Sequence, residues 1–283
     1  MDVGSECALV AEDPSDQVTA HLCAAKCYMR AGDLENTVES YLKAISITKE
    51  KFSLSSLLKT PLLPLDSLLT ISKLLQQYGR YEEAVLVLLY ASQLYSSASV
   101  CLQLGVNYLR LNKESEAEKA LMEANLLDNR NSEVWAMLSV LCVRLGPRRV
   151  YEAEQCLFQA LRLGLSAPSV LRELALAFMS IDKLQVAEDL LRRSIACDLQ
   201  TRRIAHPHSR KLLADVLAGQ NLAAKAVEEY KAVLLDEDAD PTTKRAAADK
   251  CLALLASLGR DEELDAVKNI VATLEGGMTE QVQ

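Results

Sequence analysis

The side chains that could bind a metal ion are concentrated near the start of the chain. His21, Cys23 and Cys27 lie close together, and the two cysteines, four residues apart, share one face if the segment is helical. Two such ligands on one helix are a usual beginning of a zinc site, which needs four ligands. The alternative is that both cysteines are buried in the first helix pair, since free Cys behaves as a small hydrophobe. We favour burial and expect no metal and no other cofactor.

No other group of residues predicts catalysis. His206 and His208 flank Pro207, and no further metal ligand is near them in the sequence. The glycine-rich phosphate-binding patterns and the nucleophile elbow are absent, and no pair of carboxylates is distinguished from the surface charges. We therefore expect that the protein is not an enzyme.

Composition excludes several classes of partner and location. The 39 acidic residues outnumber the 31 basic ones, for a net charge of −8, whereas nucleic-acid binding requires clustered Lys and Arg. Eight cysteines are scattered through apolar stretches, which indicates buried thiols in a reducing compartment. The most apolar segment, Leu54–Leu75, is interrupted by charges and prolines, so no membrane-inserted helix is expected. The N-terminal segment 1–17 carries no long apolar run typical of a secretion signal, and we expect a soluble cytoplasmic protein.

A repeated pattern organises most of the chain. With only 10 glycines and 7 prolines, the composition favours helices, and the clearest unit is Leu104–Asn129. Its two helices, separated by a turn at Asn112–Lys113, each carry an apolar stripe: Leu104, Gly105 and Tyr108, then Ala117, Leu121 and Ala124. Related patterns predict seven units near 18–50, 65–97, 98–131, 132–167, 168–200, 207–240 and 245–275. The last keeps the helical period but loses the small residues.

This pattern resembles the tetratricopeptide repeat, which has a small residue at position eight, a large one at eleven, a turn residue and two later alanines. The resemblance implies an all-α, right-handed superhelical solenoid of antiparallel helix pairs, with about six to seven units over 18–275. One helical hairpin cannot bury its own apolar stripe, so neighbouring units must stack. We expect a protein-interaction scaffold from this fold.

Three segments depart from the repeat. An insertion at 51–64 contains two prolines, which exclude a continuous helix, and its leucines are predicted to fold back onto the solenoid, with docking to a partner as the alternative. Two extra residues fall at Gly146–Arg149, between the helices of the fourth unit, and a third break lies at Thr201–Ser209. The tail, residues 276–283, is expected to be disordered.

The resemblance also implies a binding surface, because first helices line the concave face in this architecture. The corresponding positions form an apolar floor with arginines along it: Leu102, Val106, Leu109, Arg110, Ala136, Val140, Val143, Arg144, Arg172, Leu176 and Met179. Such a floor suits an amphipathic or extended protein segment with acidic flanks. The arginines are equally explained as helix-end residues favoured by the helix dipole. The lysine and asparagine arrangement with which chaperone-binding relatives hold a terminal carboxylate is missing, which disfavours that role.

One stretch resembles a narrower family. The second helix AEKALMEANLLDN, the following EVWAMLSVLC and the later EAEQC, all within 98–165, are similar to the C-terminal repeat region of a cilia- and flagella-associated protein of the axonemal central apparatus. The resemblance implies a structural component of the ciliary or flagellar axoneme. The alternative is a soluble adaptor, or co-chaperone-like module, that recruits a peptide or cargo.

Overall fold

The computed structural model describes residues 13–51, 63–202, 205–236 and 238–280, without the side chains of 202 and 272–280. Every regular element in these ranges is helical, which confirms the predicted all-α fold. Besides a 3-10 turn at Pro147–Arg149, the α-helices are, in order from α1 to α14, Pro14–Ala31, Leu34–Lys51, Leu65–Gln77, Tyr81–Leu94, Ala98–Arg110, Glu114–Leu127, Ser132–Arg144, Val150–Arg162, Pro168–Ser180, Leu184–Arg202, Pro207–Gly219, Ala223–Leu234, Pro241–Leu258 and Asp261–Glu280.

The chain divides into two compact units, 1–134 and 135–283. The first contains α1 to α6, and consecutive helices in it contact one another as the repeat predicts. Its core combines small residues with larger ones that fill the space between helices. The fully buried members include Ala25, Ala44, Ile71, Leu75, Ala84, Leu88, Ala91, Val100 and Leu109.

The second unit repeats this construction from α7 to α14. Leu171, Leu174 and Phe178 of α9 are fully buried, at spacings that place them on one face of the helix. Tyr230 of α12 is also buried, and its hydroxyl donates a hydrogen bond to Asp215 of α11. From α9 to α14, contacts between consecutive helices stabilise the hairpins and join each one to the next.

The turns between paired helices require a backbone conformation that few residues adopt. Asn112, Asp182 and Asn221 have φ of 55°, 60° and 61°, in the left-handed region where Asn and Asp are the non-glycine residues most often found. Gly32 and Gly79 occupy the matching turns earlier in the chain, with φ of 79° and 71°. The left-handed backbone of these turns therefore explains why a glycine, asparagine or aspartate stands at this position of the repeat.

The departures from the repeat are partly visible. Residues 52–62 of the insertion lie outside the described ranges, whereas Leu63 is buried and its carbonyl accepts a hydrogen bond from the Tyr95 hydroxyl at 2.7 Å.

At the N-terminus α1 begins at Pro14, where Asp13 caps the helix by accepting from the Ser15 N–H at 3.0 Å. At the other end α14 continues to Glu280, so part of the segment predicted as a disordered tail is helical, and 281–283 lie outside the description.

Candidate protein-binding surface

The cysteines that the sequence suggested as metal ligands or as buried residues lie on the outside of α1. Cys23 and Cys27 are exposed, so the prediction that they are buried is wrong. The helix buries Val18, Leu22 and Ala25 instead, and these spacings turn the two cysteines toward solvent. Among the described residues no group of three His, Cys, Asp or Glu side chains is arranged to hold a metal ion.

Two cysteines have thiols of low reactivity: Cys101, which is buried, and Cys156, which is partly exposed. Burial raises the pKa of Cys101 to about 11, and the nearby Glu123 carboxylate adds to the shift. A hydrogen bond with Cys142, followed by burial, raises the pKa of Cys156. Because the thiolate is the reactive form, a raised pKa makes these cysteines poor nucleophiles at neutral pH.

The predicted groove residues of the first unit lie on α5 and are mostly packed. Leu109 is fully buried and Leu102 is 6% exposed, so both serve the helix packing of this chain. Val106 is partly exposed, and Arg110 is exposed in the last turn of the helix. A basic residue at this place is favoured by the helix dipole.

On α7 of the second unit the same distribution occurs. Ala136, Val140 and Val143 are buried, and Arg144 is exposed in the last turn. Helix α7 is also fixed against α8 by the buried Ser139 hydroxyl, which donates to the Ala153 carbonyl at 2.7 Å. The apolar residues of α7 therefore stabilise the repeat and offer little surface to a partner.

Helix α9 carries the most accessible apolar residue of the predicted groove. Leu176 is 45% exposed, and Met179, one turn later, is partly exposed. Arg172 is directed differently, because its guanidinium lies 3.6 Å from the Asp198 carboxylate and donates to the Ser209 hydroxyl at 3.2 Å. Asp198 is nearly inaccessible, so Arg172 compensates a buried negative charge.

The Arg172 contacts belong to a polar joint between α9, α10 and α11. Ser194 of α10 donates to the Pro168 carbonyl at 3.1 Å and lies 3.3 Å from the Ser209 hydroxyl of α11. The His206 N–H adds a donor to Asp198 at 3.4 Å. Buried polar groups need such partners, and here they hold three helices at a break in the repeat.

Several exposed apolar residues outside the predicted groove lie on second helices. The first unit exposes two leucines on α4 and three residues on α6: Leu86, Leu89, Met122, Leu126 and Leu127. The second unit exposes Tyr151 and Phe158 on α8, at 72% and 64%. Such residues can be recognised in the sequence, because each is apolar at a helix position that faces water in the repeat.

Comparison with known proteins places this arrangement in a family. The model of the cilia and flagella-associated protein 70 C-terminal domain matches residues 3–250. The chain belongs to this family. Both resemblances, to tetratricopeptide repeats and to a cilia- and flagella-associated protein, are thereby confirmed.

Two relatives match over a short stretch. Cilia- and flagella-associated protein 70 of Macaca fascicularis and of Homo sapiens are each 39% identical over 94 residues, which is 33% of this chain. The match covers 9% of the macaque protein and 8% of the human one. The matched stretch thus spans less than a tenth of the length of either relative.

Solved structures show the same fold at low identity. A tetratricopeptide repeat protein of Thermus thermophilus has a TM-score of 0.56 at 18% identity, over 66% of this chain and 98% of that one. Pseudomonas aeruginosa PilF has a TM-score of 0.54 at 19% identity, over 75% and 92%. A repeat protein of Parabacteroides merdae has a TM-score of 0.54 at 13% identity, over 91% of this chain and 98% of that one.

No helix in the described part of the chain is long and apolar enough to span a membrane.

Proposed function

We propose that this chain is a non-enzymatic protein-interaction scaffold anchored in the ciliary or flagellar axoneme. The observation that carries the proposal is the match of residues 3–250 to the cilia and flagella-associated protein 70 C-terminal domain. Repeat arrays of helix pairs present extended surfaces for other proteins. The net charge of −8 supports a protein partner over a nucleic acid.

In this proposal each unit presents a first-helix surface of its own, made of the accessible first-helix positions. In the first unit these are Val106 and Arg110, and in the second they are Arg144, Leu176 and Met179. An apolar contact beside arginines fits an amphipathic or extended segment with acidic flanks. The buried groove residues act indirectly, by holding these side chains in place.

Sedimentation with axonemes tests the anchoring. The purified chain is mixed with detergent-extracted axonemes, pelleted and washed at increasing salt concentration. A structural component stays in the pellet through the washes, whereas a soluble cytoplasmic adaptor is released. Recovery of the chain in the first supernatant would favour the adaptor and contradict the scaffold.

A pair of matched variants tests the surface. Leu176→Asp introduces a charge on the first-helix face, and Leu199→Asp does the same on α10 at an equal exposure of 45%. Both residues are half-exposed, so helicity measured by circular dichroism should be retained. We expect that Leu176→Asp lowers axoneme retention about tenfold and that Leu199→Asp leaves it unchanged. Equal retention of both variants would exclude this part of the surface.

A further inference from the structure

A line of exposed side chains begins in the 3-10 turn at Pro147–Arg149 and continues along the outer face of α8. Arg148, Tyr151, Gln155, Phe158 and Arg162 follow one another at alternating steps of three and four residues and are all exposed. This spacing places them in one row along a helix. From end to end the row is about 21 Å long, at the usual rise per residue.

The aromatic residues of this row lie away from the core. Helix α8 packs into the unit through its opposite face, where Ala153, Leu157 and Ala160 are buried. The two aromatic rings therefore expose apolar surface to water and do not contribute to the core.

The next second helix of the same unit shows what the fold accepts at these positions. Ala153 and Leu157 of α8 correspond in the repeat to Ala187 and Leu191 of α10. In that register Tyr151 becomes Gln185 and Phe158 becomes Arg192, both exposed. Polar residues thus suffice where the aromatic residues stand.

The charges around the row leave both of its ends positive. Glu152 is paired with Arg149 at 2.7 Å, and Glu154 is paired with Lys183 at 3.1 Å. These pairs offset the negative charges of the two glutamates of α8. Arg148 precedes the aromatic pair and Arg162 follows it, both exposed to solvent.

We propose that this outer face of α8 docks an amphipathic helix of a partner protein that carries carboxylates at both ends of its apolar stripe. Large aromatic anchors supply the apolar contact area that concentrates binding energy in interfaces. The two arginines fix the register of the incoming helix, because each pairs with a carboxylate. The surface is separate from the first-helix surface of the proposed function and does not depend on it.

The probe is a synthetic helical peptide of about 18 residues with a leucine stripe and glutamates about 14 residues apart, matching the row in α8. Binding to the full chain is measured by fluorescence anisotropy of the labelled peptide. One helix face is smaller than a standard interface, so we expect a Kd on the order of 10–100 μM. A peptide with lysines in place of the glutamates should bind at least about tenfold more weakly.

Variants of α8 identify the face. Tyr151→Gln and Phe158→Arg introduce the residues that α10 carries in the same register, and each should weaken peptide binding about tenfold or more. Leu235→Gln, at an exposed leucine of equal 72% exposure, should leave the Kd unchanged. Leu176→Asp should also leave it unchanged, which separates this surface from the first-helix one.

Several outcomes would overturn the proposal. Absence of peptide binding up to about 1 mM, well above the expected Kd, would contradict it. Equal affinity of the wild type and Phe158→Arg for the peptide would contradict it as well. Sedimentation equilibrium that shows a dimer dissolved by Phe158→Arg would assign the face to a second copy of the chain. Binding to phosphatidylserine vesicles that is lost in the same variant, without binding of the peptide, would assign it to a membrane surface.

Discussion

At Gly105 the backbone of α5 lies against the side chain of Leu121 on α6. A Cβ added at this glycine would stand 2.5 Å from the Leu121 Cγ and 2.6 Å from its Cδ2. Leu121 is fully buried, and because protein interiors are close-packed, a shift of its side chain disturbs the contacts around it. The small residue of the repeat is therefore required by a single close contact between the paired helices.

Gly105→Ala should lower the free energy of unfolding by about 1–3 kcal/mol, as overpacking in a well-packed core does. Urea denaturation followed by circular dichroism measures the change. Gly219→Ala is the matched control, because its Cβ would stand 3.1 Å from the Leu184 Cδ1 and it gains the helix propensity of alanine. A Gly105→Ala variant as stable as the control would show that Leu121 does not restrict this position.

At the scale of the helix, the start of α11 combines a cap with the polar joint. His206 is the N-cap residue, and its Nδ1 accepts a hydrogen bond from the His208 N–H at 3.2 Å. That acceptor exists only while the imidazole nitrogen is unprotonated. Burial, followed by the positive charges of Lys211 and Arg172 and by His206, lowers the pKa of His208, while Asp240 opposes the shift.

The folded chain should therefore lose stability in mild acid. Because the pKa of His208 is lower in the folded chain than its ordinary 6.5, the unfolded chain binds more protons as pH falls below about 6.5. The contribution to stability is complete above that pH and is lost as pH falls through the folded-state pKa. Urea denaturation between about pH 7.5 and pH 5.5 should show a decreasing free energy of unfolding, above the range in which carboxylates titrate.

Substitution isolates the histidine that is responsible. His208→Gln should reduce the slope of stability against pH. His21 lies in the first unit, and burial and Lys43 lower its pKa as well, so His21→Gln should remove a separate part of the slope. If His208→Gln keeps the full slope of the wild type, the titrating group lies elsewhere.

At the scale of the whole molecule, burial is unevenly distributed along the second unit. Helix α9 has four fully buried residues, Leu171, Leu174, Ala175 and Phe178. In α14 the buried residue among the described side chains is Val267, with an ion pair between Glu263 and Lys231 of α12 as a further attachment. Local opening is easiest where few apolar contacts are made.

Hydrogen exchange measured by mass spectrometry should accordingly detect faster exchange in α14 than in α9. Val267→Asp should abolish the remaining protection of α14, because it places a charge in its buried contact, and should leave α9 protected. Each repeat of such a protein contacts mainly its neighbours, so the loss of protection stays confined to the end of the chain that contains α14. Equal protection of the two helices in the wild type would contradict this distribution of stability.

The sequence by itself determined the elements of this protein. Helix-period stripes, small residues such as Gly105 and turn residues such as Asn112 depend on interactions within one hairpin, and these are encoded within a few tens of residues. The tetratricopeptide fold and the cilia- and flagella-associated family were both predicted from such patterns.

Only the tertiary structure decided which side of each helix remains accessible. Val140 is buried although it occupies a predicted groove position, and Cys23 is exposed although burial was predicted. Arg172 is engaged by Asp198, which lies on another helix. The row containing Phe158 is exposed because no described helix covers that face of α8. Such contacts depend on how separate helices meet, and a periodic pattern within one helix does not specify them.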